Sequence, residues 1–417
     1  MSELEIAEES TSESERHASW AELFFDLVAV AGVAALAHVL EIELTAAALF
    51  LYAVLFLVFW LSWITFTLYS NIAARQTQVV RLMIGMFGLG VMAASVPGVT
   101  HHVLEGGHGT TATTVFTVAY LATRLYGSQS WRRGSILVDF PVVQYSGGLL
   151  PWLASIWVDD PWKLRLWALG VGLDLVVILV LSGGRLLTRF QERISAQAAR
   201  RRRDRPGARA GRDKPEIRAV SVDPIHLAER LGLFVIIVLG ESVVLVVAAA
   251  AKAEPGVSLL ATGAASFVLL AGLFGLSVVF GHAGLPHLRA GRISTRAALG
   301  LHCLVTGVVA TVAVSLSAVV EHGSDPLSTA QRWLLCGAVA AYFTLGVLAG
   351  VFSHSSDLQR TISRIVTGIL LPLILAAFVT DASGRTLVIC LAAVAMAHLW
   401  FESRSPQVQS LVRSPSD

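Results

Sequence analysis

Charge is what this sequence has least of. Of its 417 residues only 14% are Asp, Glu, Lys or Arg, whereas an ordinary soluble domain carries about 25%. A globule of this length cannot coat itself in polar groups with so few, which excludes a soluble fold. A disordered chain is excluded as well, because 55% of the residues are hydrophobic and disorder needs low hydrophobicity. Cysteine is nearly absent. Cys303, Cys336 and Cys390 lie in apolar stretches at unrelated spacings, which leaves neither a disulfide framework nor a zinc pattern. The sequence also lacks a P-loop, a Rossmann glycine pattern, a nucleophile elbow and a helical His-Glu-x-x-His motif. No cofactor, resident metal or nucleic-acid partner is therefore expected.

Long hydrophobic runs fill the space. A helix crossing the hydrocarbon core needs about 20 mostly apolar residues. Twelve such runs are found, at 19–40, 46–70, 79–97, 112–127, 137–158 and 164–182, then at 225–251, 258–283, 297–320, 330–352, 365–380 and 385–401. They are too continuously apolar for strands of an outer-membrane barrel, which alternate with period two. The expected fold class is all-α: a polytopic membrane bundle of about 12 helices, with lipids as its immediate partners.

The basic residues orient it. With both termini cytoplasmic, the inner loops and tails hold 24 Lys and Arg against 5 outside, or 12 against 5 without the linker. This bias supports both the number of spans and their orientation. The Glu- and Ser-rich residues 1–18 read as a disordered cytoplasmic tail rather than a signal peptide. Residues 183–224 form a basic cytoplasmic linker between halves at 19–182 and 225–401, and 402–417 form a second tail. Aligning Ala21-Glu22 with Ala228-Glu229 puts the halves in register with an offset of 207. Six spans each is an even number, so the two repeats are expected to be parallel.

Ionisable residues inside the spans are costly and point to function. Glu22 and Asp26 are one turn apart on the first span, and His38 follows near its outer end. Glu22 is open to a second reading, as a headgroup-level acid paired with Arg75 or Arg81. Glu229 and Arg230 open the seventh span, and Glu241 lies twelve residues on, about 18 Å along the axis and near the bilayer middle. It sits in Leu239-Gly240-Glu241-Ser242, either as a proton or cation site or as half of a helix-locking ion pair with Arg124. Arg124, Asp174 and His302 are also intramembrane, and a lone His such as His302 is more often a helix contact than a ligand. The loop from His101 to His108 has metal-ligand residue types without rigid spacing. Trp152, Trp157, Trp162 and Trp167 read as an interfacial belt.

Several of these segments resemble one known family. Glu22-Leu23-Phe24-Phe25-Asp26-Leu27-Val28 looks like the opening signature of the bacterial low temperature requirement protein A (LtrA) family. Further matches are Trp63 to Asn71, Arg81-Leu82-Met83, Tyr120 with Arg124, and His226 to Phe234 running into Leu239-Gly240-Glu241-Ser242. The sequence departs from that pattern after Asn71, where an Asp-rich turn is replaced by Ile72-Ala73-Ala74-Arg75-Gln76, and at Gly272 to Ser277. The resemblance implies a polytopic bacterial membrane protein linked by name to growth in the cold, with no settled activity to carry over. The residues themselves suggest a mover of a small solute or ion, with proton coupling through Glu241, Asp26 and Glu22 and with Arg124 or Arg230 as counter-ion. The rival readings are an intramembrane enzyme on a lipid or isoprenoid substrate, and a non-catalytic scaffold or sensor.

Overall fold

The computed structural model describes residues 17–42, 44–73, 77–106, 110–129, 135–137, 146–180, 218–321, 326–354 and 357–404. Most of the expected tails and linker, Arg75, and His108 of the expected loop lie outside the described residues. The chain runs through helices α1 (Trp20–Ala35), α2 (Ala37–Ile42), α3 (Ala46–Ala73), α4 (Val79–Glu105), α5 (Thr110–Gln129), α6 (Leu149–Ala154) and α7 (Trp162–Val180). The second half adds α8 (Pro224–Ala250), α9 (Val257–Phe274), α10 (Leu285–Arg289), α11 (Thr295–Glu321), α12 (Thr329–Phe352), α13 (Leu358–Ser363), α14 (Leu371–Phe378) and α15 (Gly384–Ser403). A three-residue parallel pair, Ser135–Leu137 with Arg218–Val220, is the one sheet among the described residues.

Nine helices among the described residues are long and apolar enough to cross a membrane. They include α1 continued through α2 as Trp20–Glu41, and α13 continued into α14 as Leu358–Phe378. The remaining three of the twelve expected runs look different. Residues 112–127 and 164–182 fall on α5 and α7, helices diluted by threonines in one and by Lys163, Arg165 and Asp174 in the other. Residues 137–158 hold, where described, the strand end at Leu137, α6 and a single 3-10 turn at Ser155–Trp157. All nine lengths suit a bilayer about 30 Å thick, and the protein is a multi-pass membrane protein.

Helix starts are written locally. Ser19 accepts the Glu22 N–H while the Glu22 side chain reaches back to Ser19, a reciprocal capping box that opens α1. Asp223 caps α8 by accepting from the N–H groups of Ile225 and His226, with Pro224 in the first turn. Both caps matter beyond the helix ends, because each holds residues of the buried charge cluster described below.

α3 and α11 form the centre. Each has 72% of its apolar window buried, against 17% for Leu358–Phe378, which is left to face lipid. The two halves meet where α1 and α3 pack on α8, and where α2 and α3 pack on α11. Gly307 permits the last of these approaches, since a Cβ there would lie 2.9 Å from the Phe56 ring. Outward-facing positions such as Phe24, Leu27, Phe87, Val244, Val247 and Phe267 are exposed and apolar, as a lipid-facing surface requires.

The tryptophan belt needs correction. Trp157 and Trp162 are exposed, but Trp152 and Trp167 are fully buried, stacked 4.7 Å apart at 11°. The Trp167 indole N–H donates to Ser155 Oγ at 3.0 Å. Both are core residues; the Trp167 N–H is satisfied internally, whereas the buried Trp152 N–H has no hydrogen-bond partner among the described residues.

Candidate functional site

Two elements bring three buried charged residues together at the end of the bundle where α1 and α8 begin. The first turn of α1 supplies Glu22 and the second Asp26, while Arg230 sits one turn and a half into α8. All three are at most 1% exposed. The Arg230 guanidinium grips Asp26 with a fork: Nη2 donates to Oδ1 at 2.6 Å and Nε to Oδ2 at 3.1 Å. Its Nη1 lies 3.1 Å from Glu22 Oε1 and donates to Ser70 Oγ at 3.2 Å. Trp63 Nε1 donates to Asp26 Oδ1 at 2.8 Å. Two-pronged, charge-assisted bonding of this kind is the geometry in which arginine holds a carboxylate best.

The neighbouring imidazole is fixed in one neutral tautomer. Asn71 Oδ1 accepts the Asp223 N–H at 2.9 Å, which assigns the other end of the amide as the donor. That Nδ2 donates to the Asp223 carbonyl and meets His226 Nδ1, both at 3.1 Å. His226 Nδ1 must then accept, so its proton resides on Nε2, 3.8 Å from Glu22 Oε2. With neutral His226, the cluster counts two carboxylates against one guanidinium. With both carboxylates ionised, one negative charge is in excess.

The Arg124 guanidinium does not meet Glu241. It pairs with Asp174, Nη2 to Oδ2 at 3.4 Å, and also bonds Thr65 Oγ1 and the Leu61 carbonyl. Asp174 further accepts from Ser146 Oγ at 2.8 and 2.9 Å and from the Gly148 N–H at 3.1 Å. This pair is wholly inside the first half. Glu22 likewise pairs with Arg230, and is too buried for the headgroup-level reading.

Glu241 stands apart. It is half-buried on α8, and among the described residues no basic side chain forms an ion pair with it. It lines a narrow cleft between the two halves, with room for about one water molecule. α1 contributes Val30, Val33 and Ala34, α3 Tyr52, α8 Ser242, and α11 Ala310 and Ala313.

The other candidates are dispersed. His302 is buried with both nitrogens used: Nδ1 accepts from Trp60 Nε1 at 3.3 Å, and Nε2 faces the Leu231 carbonyl at 3.1 Å. Stacked on Trp63 at 5.4 Å, it is a helix contact. Glu229 is turned from the cluster toward the chain before α1, 3.4 Å from His17 Nδ1. His38 lies twelve residues beyond Asp26, about 18 Å further along the helix. His101, His102 and Glu105 lie in the last turns of α4 rather than in a loop, where His101 pairs with Glu105 and His102 with Asp160. No group of three His, Cys, Asp or Glu suited to a metal occurs among the described residues.

Sequence reasoning missed Trp63, Ser70, Asn71 and His226 as members of the cluster. Asn71 and His226 had a usable signal, since both are polar residues at the edge of apolar runs. Ser70 and Trp63 had none, because either is ordinary inside a membrane helix.

The family model described as bacterial low temperature requirement A protein (LtrA) matches residues 17–398, and that range contains every residue placed above except those of the C-terminal turn. Neither the curated proteins nor the solved structures give a match to the chain.

Proposed function

The chain belongs to the bacterial low temperature requirement A (LtrA) family, and from that membership and its membrane-spanning helices we propose that it moves a small solute or ion across the bacterial inner membrane, coupled to protons through Glu241. One observation carries this reading: a carboxylate at bilayer depth, without a basic partner among the described residues, at a cleft between the two halves. A structural acid in hydrocarbon is held by a cation, as Asp26 and Asp174 are. An acid left without one, and facing a cavity, has the character of an ion pathway.

The rest of the arrangement fits around that acid. The Glu22–Asp26–Arg230 cluster ties α1 to α8 at one end of the half–half seam and works as its closed gate, while the cleft lies deeper along the same helices. Because Glu22 and Arg230 touch, α1 and α8 start at the same end of the bundle, which supports two parallel repeats of six spans. Both termini are then cytoplasmic, on the side favoured by the basic loops. Alternating access would open the gate by parting Arg230 from its acids. A proton gained or lost at Glu241 biases that equilibrium only if the two states bind it with different affinity.

The enzyme reading draws less support, because His38 is remote from Glu22 and Asp26, and both acids are engaged by Arg230. Reconstituted vesicles test the transport reading. A pH gradient across them is expected to dissipate faster than across empty vesicles, and Glu241→Gln is expected to abolish the difference. Flux unchanged in Glu241→Gln would remove the proposed role of this residue.

A further inference from the structure

We propose that His226 is a second proton-binding residue, placed at the gate, and that the Asn71 amide couples its charge to the seam between α3 and α8. The proposal rests on reading the Glu22–Asp26–Arg230 cluster as a gate, and adds the residue that takes up a proton there.

The hydrogen bonds make two states mutually exclusive. Asn71 ties the end of α3 to the cap of α8: its Oδ1 accepts the Asp223 N–H at 2.9 Å, and its Nδ2 donates to the Asp223 carbonyl at 3.1 Å. The same Nδ2 lies 3.1 Å from His226 Nδ1, so that ring nitrogen accepts while both Asp223 bonds stand. An imidazolium carries a proton on each ring nitrogen and accepts nothing. A proton added to the Nδ1 lone pair therefore meets an N–H donor. Turning the amide over presents Oδ1 to the new N–H. It also sets Nδ2 against the Asp223 N–H, and Oδ1 against the Asp223 carbonyl. The bond to His226 is kept in reversed sense, and two bonds between α3 and α8 are lost. A charged His226 and an intact tie from α3 to α8 do not coexist.

Charge balance supplies the drive for uptake. α1 sets Glu22 Oε2 3.8 Å from His226 Nε2, with Asp26 one turn deeper, and Arg230 answers both acids from α8. An imidazolium brings the cluster to two charges of each sign. The other elements packed on this end of α8 bring no acid to it among the described residues. α3 presents Asn71 and Ser70. α11 carries His302, bonded to the Leu231 carbonyl, and Arg296 in its first turn. α10 carries His287, beside Gly281, and an exposed Arg289. On α8 itself Asp223 caps the helix and Glu229 turns to His17. His226 is 1% exposed, so a proton from water reaches it only when the seam parts. Its affinity for that proton then differs between the closed and open states, which is the condition for coupling. Imidazole is also the side chain that ordinarily titrates nearest neutral pH.

Nitrogen-15 NMR of the full-length protein in detergent micelles, labelled at histidine, tests this. The His226 signals are those lost in His226→Gln. At alkaline pH one neutral form is expected, with its proton on Nε2, and acidification should convert it to imidazolium. Asn71→Asp offers the Nδ1–H a carboxylate and keeps an oxygen for the Asp223 N–H. It should raise the midpoint of that conversion by about 1–3 pH units, the effect of a close opposite charge. Glu22→Gln still completes the capping box and, by removing such a charge, should lower the midpoint. In reconstituted vesicles the pH of half-maximal flux should rise in Asn71→Asp, a change that a merely structural Asn71 would not produce. A proton on Nδ1 in the neutral form, no imidazolium across the pH range of the folded protein, or a midpoint unmoved by either variant would overturn the proton site. A flux profile unchanged in Asn71→Asp would overturn its link to the gate. Titration as expected, with no flux from the wild-type protein, would instead overturn the transport reading and support the proton site.

Discussion

Replacing Arg230 with Gln is the perturbation whose size the structure sets most sharply. The wild-type guanidinium serves two acids at once, through the fork onto Asp26, the contact with Glu22, and a bond to Ser70. Without it Asp26, fully buried, keeps the Trp63 indole N–H as its hydrogen-bond donor among the described residues. Removing one side of a buried ion pair costs about 3–5 kcal/mol, because the other side is left charged and desolvated. Glu22 adds to that, so Arg230→Gln is expected at or above the upper half of the range. Asp26→Asn alone should cost much less, since Arg230 still has Glu22 and the cluster becomes neutral. The double variant then carries one uncompensated carboxylate where Arg230→Gln carries two, and it should be more stable than Arg230→Gln. Unfolding by SDS titration in mixed micelles, followed by tryptophan fluorescence, gives all corners of the cycle. Trp63 is a local reporter, bonded to Asp26 and 4.0 Å from the Phe234 ring. The reasoning fails if Arg230→Gln loses less than about 1 kcal/mol, the scale of an exposed pair. It also fails if Asp26→Asn lowers the stability of Arg230→Gln further.

Other expectations concern residues away from the cleft. Asp174→Asn should destabilise the first half by about 3–5 kcal/mol in the same titration, with proton flux per folded molecule unchanged; a selective loss of flux would mark the pair as part of the pathway. His302→Phe leaves the Trp60 N–H and the Leu231 carbonyl without their partner and should cost about 1–3 kcal/mol. A tolerated substitution would show those bonds to be weak. A Cβ at Gly346 would lie 2.6 Å from the His282 ring, so Gly346→Ala should cost about 1–3 kcal/mol by displacing that ring; a neutral result would mean the connection moves freely. His282, in the connection between α9 and α10, is held well below its ordinary 6.5 by burial first, and then by Arg364, His398 and His287. The unfolded chain therefore takes up this proton first as pH falls through about 6.5. Stability present above that pH is lost below it, by at most about 1.4 kcal/mol per pH unit from this group. His282→Phe should flatten that acid limb, and an unchanged slope would assign it to other groups.

What the sequence determined by itself is the class and the helices. Hydropathy summed over twenty residues is a local quantity, and lipid leaves the backbone no other solution, so the apolar runs become helices wherever they are strong enough. The capping boxes at Ser19 and Ser328 are local in the same sense. The weak runs are less legible for the same reason. Polar residues in α5 and α7 dilute a signal that neighbouring helices make tolerable by burying Arg124 and Asp174 against each other.

Tertiary structure alone decided which charges meet. Arg230 and Asp26 are 204 residues apart, and no periodicity links them. Arg124 has Asp174 as its acid, not Glu241, because the two sit on helices that both pack against α3. Trp152 and Trp157 are five residues apart, yet one stacks in the core and the other is exposed. Burial cost explains the pattern. A charge in hydrocarbon must find compensation wherever the fold provides it, so the sequence reveals the need while only the packing of distant helices reveals the partner. At Glu241 the packing provides a cleft instead.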